Sequence, residues 1–199
     1  MKNVLYICLV LLALLAWRDW NSRDIEYAPG VLVPERPIQK VTKDASPVML
    51  NGFSLNRRAE FSLRARVLSS EKYWFGDESE LSPVDLALGW GVMSDQQVLD
   101  RINITQATRW YFTRYDLPAP IPDREIINNS SNMHIIPADK RVKEKVTNLR
   151  RGNIVLLKGY LVDVDAPSGF MWRTSLRRDD TGNGSCEIFY LTDVYVEDL

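Results

Sequence analysis

The sequence is poor in the side chains that build metal centres and disulfide frameworks. Of its 199 residues two are cysteine and one is histidine. Cys8 lies inside an apolar amino-terminal run, so it cannot pair with Cys186 in a folded domain, and a disulfide-stapled fold is excluded. His134 and Cys186 are then the nitrogen and sulfur ligands left, against the roughly four that a structural zinc needs, which excludes a zinc finger. A strong net charge is missing too. Twenty-five basic residues against 26 acidic ones leave −1, which is unlike a chain-wide nucleic-acid binder. No apolar run reaches the ~20 residues of an ordinary membrane-spanning helix. With 45% hydrophobic and 26% charged residues, the composition indicates one globular domain plus appendages rather than a fibrous or disordered chain.

What is present begins with an address. MKNVLYICLVLLALLAWRDW carries one lysine, then fourteen apolar residues from Val4 to Trp17, then charge. The pattern matches a secretory signal peptide. Leucine stands where a small residue is preferred for cleavage, and Trp17 and Trp20 resemble interfacial aromatics. The reading is therefore an uncleaved signal anchor over residues 1–17 in preference to a cleaved signal. Residues 18–47, with Pro29, Pro34, Pro37 and Pro47, read as an extended spacer whose apolar stretch APGVLVPERPIQ lies along the domain or against a partner.

The domain, residues 48–199, reads as β-rich α+β with a few short helices. Ala59 to Val67 alternates apolar and polar residues as a half-buried strand does. Ser82-Pro83-Val84-Asp85 has the cap, first-turn proline and early acid of a helix ending near Gly89. A second helix is expected from Ser94 to Arg101, and Gln106 to Tyr115 alternates again. In the second half, Asp139 to Leu149 is helical and Ile154 to Val164 is a strand with a bend at Gly159. Strands over Phe170–Leu176 and Cys186–Val196 follow. This order of elements, over about residues 139–199, resembles an OB-fold barrel.

The loop TSLRRDDTGNGSCEIFY offers three chemistries. Setting Asp179 first in a calcium loop places Asn183 and Glu187 as ligands with Gly184 at the turn, but Tyr190 falls where the bidentate carboxylate belongs. Cys186 can act as a thiol nucleophile with His134 as base and Glu187 or Asp180 as orienter. Turn chemistry alone also accounts for the loop, because Gly182 and Gly184 supply positive φ and the Asp and Asn side chains cap their own backbone. As a recognition surface the loop brings Arg173, Arg177, Asp179, Asp180 and Asn183, with Trp90, between two glycines, as a further contact candidate. No cofactor is expected, and no metal is assigned. Between Ala138 and Arg178 ten basic residues, Lys145, Arg150 and Arg151 among them, face four acids. This patch leaves nucleic-acid or anion binding open.

The blocks APGVLVPERPIQ, SPVDLALGWGVMSD, NMHIIPAD and TSLRRDDTGNGSCE resemble those of a family of small uncharacterised bacterial proteins that are membrane-anchored or secreted. The likeness spans roughly Pro29 to the carboxyl terminus. It implies a single domain in the bacterial envelope and carries no activity, cofactor or catalytic residue. The expected function is a non-enzymatic binding or adaptor module, held in the inner membrane by residues 1–17 with its domain in the periplasm and a protein partner in the envelope. Alternatives are a thiol-dependent hydrolase or transferase using Cys186 and His134, and OB-like binding of a nucleic acid or anionic ligand, which an extracytoplasmic address disfavours for nucleic acid.

Overall fold

The computed structural model describes Tyr6, Val10, Leu12 and residues 23–42, 46–177 and 186–197. Among these no helix is long and apolar enough to cross a membrane. The domain is β-rich, and its core is a ring of five strands. These are β3 (Phe53–Lys72), β4 (Val84–Gly89), β7 (Ser130–Pro137), β8 (Ile154–Asp165) and β10 (Glu187–Val196). β3 pairs antiparallel with β4, β4 with β7, β7 in parallel with β10, β10 antiparallel with β8, and β8 returns to β3. Every ring strand thus has two neighbours, which removes the open edges that invite aggregation.

One strand closes the ring because it is twenty residues long and bent. Ser54 to Arg66 of β3 pairs with β8, and Arg66 to Lys72 pairs with β4, with register shifts at Arg57/Ala59 and Val67/Ser69. Bulges bend a strand and increase its twist. On the far side β10 shifts register between Leu191 and Asp193, opposite Gly159. A side chain at Gly159 would collide with the Tyr190 carbonyl oxygen, so the bend expected there needs its glycine. Phe61, Leu63, Leu86, Met133, Leu157 and Phe189 fill the interior. The bent sheet expected over residues 139–199 supplies two of the five ring strands, and the other three come from residues 53–137.

A helix (Lys140–Thr147) lies between β7 and β8, as its sequence indicates. It is named α4 below, after three shorter helices. Asp139 caps it by accepting from the Val142 amide at 2.8 Å, and Val142 and Val146 pack on the barrel core. The helix expected over residues 82–89 is instead strand β4. Its capping signals are real but local. All six of its residues are buried between β3 and β7, and burial on both sides overrides propensity. The preceding helix is α1 (Asp77–Leu81), which ends at Ser82. The helix expected over 94–101 is a 3₁₀ turn (Gly91–Ser94) followed by α2 (Gln96–Leu99), with Asp95 rather than Ser94 as the cap. Residues 106–115 fold back as part of a hairpin, β5 (Asn103–Ala107) and β6 (Trp110–Arg114), rather than running as one strand. α3 (Asp123–Asn128) leads into β7. Hairpin and short helices cover β3 and β4 through Leu68, Met93, Leu99, Ile102, Ile104 and Ile126. Only Met171–Trp172, β9, is extended in the segment expected to be a strand over 170–176.

The segment before β3 is a strap, not a free spacer. β1 (Ile38–Val41) pairs with β3, and β2 (Val48–Leu50) forms a hairpin with its start. Upstream, the Ile25 amide donates to the Arg151 carbonyl at 3.0 Å and the Gly91 amide to the Val33 carbonyl at 2.7 Å. The Ser94 hydroxyl accepts from the Leu32 and Val33 amides at 3.1 and 3.0 Å, and Asp95 accepts from the Gly30 amide at 2.9 Å. Val33 is fully buried. Gly152, at φ 93, lets the strap lie flat, since a side chain there would strike Ile25.

Candidate functional site

Arg66, where β3 passes from β8 to β4, pairs with both Ile154 and Gly89, and the strap covers this end. β4, β8 and β10 reach away from it to Val84, Asp165 and Glu187 at the other end. That other end holds a cleft of about 620 Å³ between the β3–β4 connection, through Tyr73, Phe75 and Ser79, and the turn after β8, through Ala166, Ser168 and Phe170. Volumes of this order suit a small ligand or a short peptide segment. Phe53, Gly76, Glu78 and Arg109 complete the lining. Phe75 at the rim is 92% exposed.

Beneath the cleft sits a polar cluster centred on Asp85, which is fully buried. Asp85 and His134 are cross-strand partners on β4 and β7, so their side chains meet, with His134 Nδ1 2.9 Å from Asp85 Oδ2. Trp172 leans over the His134 ring at 4.5 Å. The second carboxylate oxygen of Asp85 accepts from Arg109 Nη1 at 2.8 Å, and the Tyr73 hydroxyl donates to Oδ2 at 3.3 Å. Burial first, and then the neighbouring Asp85 charge, push the Tyr73 phenol up to about 12.

Arg109 reaches this place from the tip of the β5–β6 hairpin. Thr108 and Arg109 have φ of 51° and 69°, the left-handed region that a two-residue hairpin turn of this hand demands. Asn-Gly fits such a turn without strain, whereas a β-branched threonine does not. The surroundings hold it. Asn132 Nδ2 donates to the Arg109 carbonyl and the Arg109 amide donates to the Tyr73 hydroxyl, each at 3.1 Å. The guanidinium stacks 3.8 Å from the Tyr73 ring centre. Backbone strain held by its neighbours is a mark of functional positions.

The residues singled out from sequence fall in several places. His134 is buried in the cluster. Glu187 is 1% exposed and accepts from the Ser131 hydroxyl, so it faces the protein rather than a surface cation site. Cys186 is half-buried just before β10. Arg173 pairs with Asp165 at 2.5 Å and donates to the Val164 carbonyl. The Arg177 amide donates to Ser175 Oγ at 3.0 Å. Trp90 is 1% exposed with its indole donating to the Asn128 carbonyl, which makes it a core residue and not a surface contact. Lys145 donates to the Val194 carbonyl at 3.4 Å. Asp179, Asp180, Asn183 and the rest of the glycine-rich loop lie outside the described residues. Among the described residues no group of three or more acidic, histidine or cysteine side chains is placed to hold a metal.

Sequence reasoning missed Asp85, Arg109 and Tyr73. A signal for Asp85 exists, since it is the one acid in the apolar run VDLALG, and a buried strand acid must find partners. No family model matches the chain, and neither a curated protein nor a solved structure is significantly similar to it.

Proposed function

We propose that the protein is a non-enzymatic binding module of a bacterial envelope, held in the inner membrane by residues 1–17, with its barrel in the periplasm taking a partner at the cleft. We read the barrel as OB-like. The reading is supported by the ring order β3-β4-β7-β10-β8, by α4 lying in the chain between β7 and β8, and by the parallel β7–β10 pair. Barrels of that kind hold ligands between the connection joining their first two strands and the one joining their last two. The cleft lies between those same connections. The observation that carries the proposal is Phe75, an aromatic 92% exposed at the rim of an aromatic-lined cleft, because exposed aromatics beside concave surfaces are typical of binding sites.

The test is site-specific photocrosslinking of the full-length protein in its own membranes, with a photoreactive residue at Phe75 and a control at Glu26 on the strap. A discrete adduct from position 75 that is absent from position 26 supports the reading. Equal or absent adducts from both positions remove it.

A second reading, a thiol-dependent hydrolase or transferase, is favoured by one observation. The Asp85–His134 pair supplies a base and its orienter, with Asp85 in the part assigned to Glu187 or Asp180 from sequence. β7 and β10 register His134 beside Ile188, and strand alternation puts Cys186, two residues earlier, on the same face. The pH dependence of Cys186 alkylation in a Cys8→Ser background decides it. Rapid alkylation below pH 7 supports an activated thiol, and an ordinary profile with midpoint near ~8.5 removes it.

A further inference from the structure

The hydrogen bonds of the Arg109 side chain fall on one side only, and its guanidinium carbon lies 3.8 Å from the Tyr73 ring centre and 5.6 Å from that of Trp172. Its Nη1 is engaged by Asp85 at 2.8 Å and Ser82 Oγ at 3.3 Å. Its Nη2 makes no hydrogen bond among the described residues, and its Nε lies 3.9 Å from Glu78 Oε2, an ion-pair distance beyond hydrogen-bond reach. Tyr73 fixes the plane of the guanidinium from below. The edge carrying Nε and Nη2 therefore borders the cleft with two N–H donors side by side, the fork that takes both oxygens of a carboxylate at once.

Resting on the cleft as the binding site, we propose that its ligand is a carboxylate carried on a flat apolar body, with the carboxylate seated on the Nε–Nη2 edge of Arg109 and the body against Phe53, Phe75 and Phe170. Donor geometry selects the class, because the Nε–Nη2 fork matches two oxygens of one carboxylate. Charge only narrows it, since Asp85 and Glu78 outweigh the single charge of Arg109 and so penalise a dianionic phosphate more than a singly charged carboxylate, which must displace Glu78 to bind. Glu78 is half-exposed on the short α1 helix and approaches the same edge without bonding to it, as a competitor that the ligand displaces. Arg109 is thus the specificity residue of the site, and Asp85 positions it.

The experiment is nuclear magnetic resonance titration of the full chain in detergent micelles, following the Arg109 Nε–H and the Trp172 indole. The probes are N-acetyl-phenylalanine and its neutral amide, then a short peptide ending in phenylalanine with a free carboxylate and the same peptide amidated. The acids are expected to bind about tenfold more tightly than the amides and to shift the Arg109 signal. Glu78→Gln is expected to tighten the acids about threefold and leave the amides unchanged. Tighter binding of the free-acid peptide than of N-acetyl-phenylalanine supports the proposal with a polypeptide carboxyl terminus as the source, and equal binding supports it with a small carboxylic acid. Equal affinity for acids and amides at the cleft overturns the carboxylate proposal and leaves the cleft reading standing. No perturbation of cleft signals by any probe at millimolar concentration overturns both. Arg109→Lys, if folded by its unchanged strap resonances, should abolish the acid preference, and retention of that preference also overturns the proposal.

Discussion

At one end of the barrel Arg66 stacks 4.9 Å from the ring centre of Tyr27, and at the other Arg109 stacks 3.8 Å from that of Tyr73. Both arginines are held by a tyrosine face and by oxygen acceptors on neighbouring strands or loops. They differ in what covers them. The strap lies over Arg66, which is 3% exposed and bonds to the Ser94 and Ile25 carbonyls and to Gln96. Burial pushes its guanidinium below the ordinary arginine value. Arg109 is less completely covered, its side chain 16% exposed beside Tyr73 and Trp172, and its closest ionic partner is a buried carboxylate. Arg66 is a buried charge held by carbonyls and Gln96 under the strap, with its Nε left unpartnered among the described residues, whereas Arg109 is held by a buried carboxylate and borders a cleft.

The sharpest way to break this contrast is Asp85→Asn. It leaves Arg109 without its anionic partner in a buried site, and losing one member of a buried pair costs about 3 kcal/mol. Urea unfolding should show that loss, while hydrogen exchange of the Leu32 and Val33 amides under native conditions stays slow, because the strap end is untouched. Gly152→Val tests the opposite end. A side chain at φ 93 that also strikes Ile25 should cost about 2 kcal/mol and expose residues 23–33 to protease, with the Arg109 resonance unmoved.

A smaller effect separates the ends by pH. Tyr73 rises from its ordinary 10 to about 12 on folding, so the folded state favours the neutral phenol. Stability from this group is complete below pH 10 and is lost as pH climbs towards 12. Tyr73→Phe should flatten that part of the decline in a urea-midpoint series, and an unchanged slope would contradict the burial of its hydroxyl. The smallest effect lies at the strap end. Arg64 grips Glu197 with two hydrogen bonds of 2.7 Å and holds its carboxyl below the ordinary range. That contribution is present above pH 4.5 and fades as pH falls through the lowered value, and Glu197→Gln should remove it. Both groups of the pair are partly exposed, so the change should be slight.

The second half of the domain was legible because its signals are local. A capped, striped helix over Lys140–Thr147 and a strand bent at its glycine follow directly from side-chain period and backbone preference. The first half misled for the same reason. Ser82, Pro83 and Asp85 are the grammar of a helix start, and only burial between two strands far away in sequence makes β4 a strand. The site was illegible because it is assembled from Tyr73, Asp85, Arg109 and His134, which are separated by ring closure rather than by any spacing a motif could show. Polar residues are dense in the sequence of the glycine-rich loop and sparse around Asp85, yet a single buried acid constrains its neighbours strongly. The strap was half legible, since its apolar stretch indicated contact with a surface, and the structure places that surface on the same chain.

The strap also decides how the domain meets mechanical load. A pull on the chain at residue 23 reaches the Ile25–Arg151 bond first, then the row from Gly30 to Val33, and only afterwards β1 and the barrel wall. These are a few short hydrogen bonds lying across the barrel end, so they open one after another like a zip, while the closed ring resists as a unit. Tension therefore uncovers Arg66 and the strap groove well before it disturbs Arg109 and the cleft beside it.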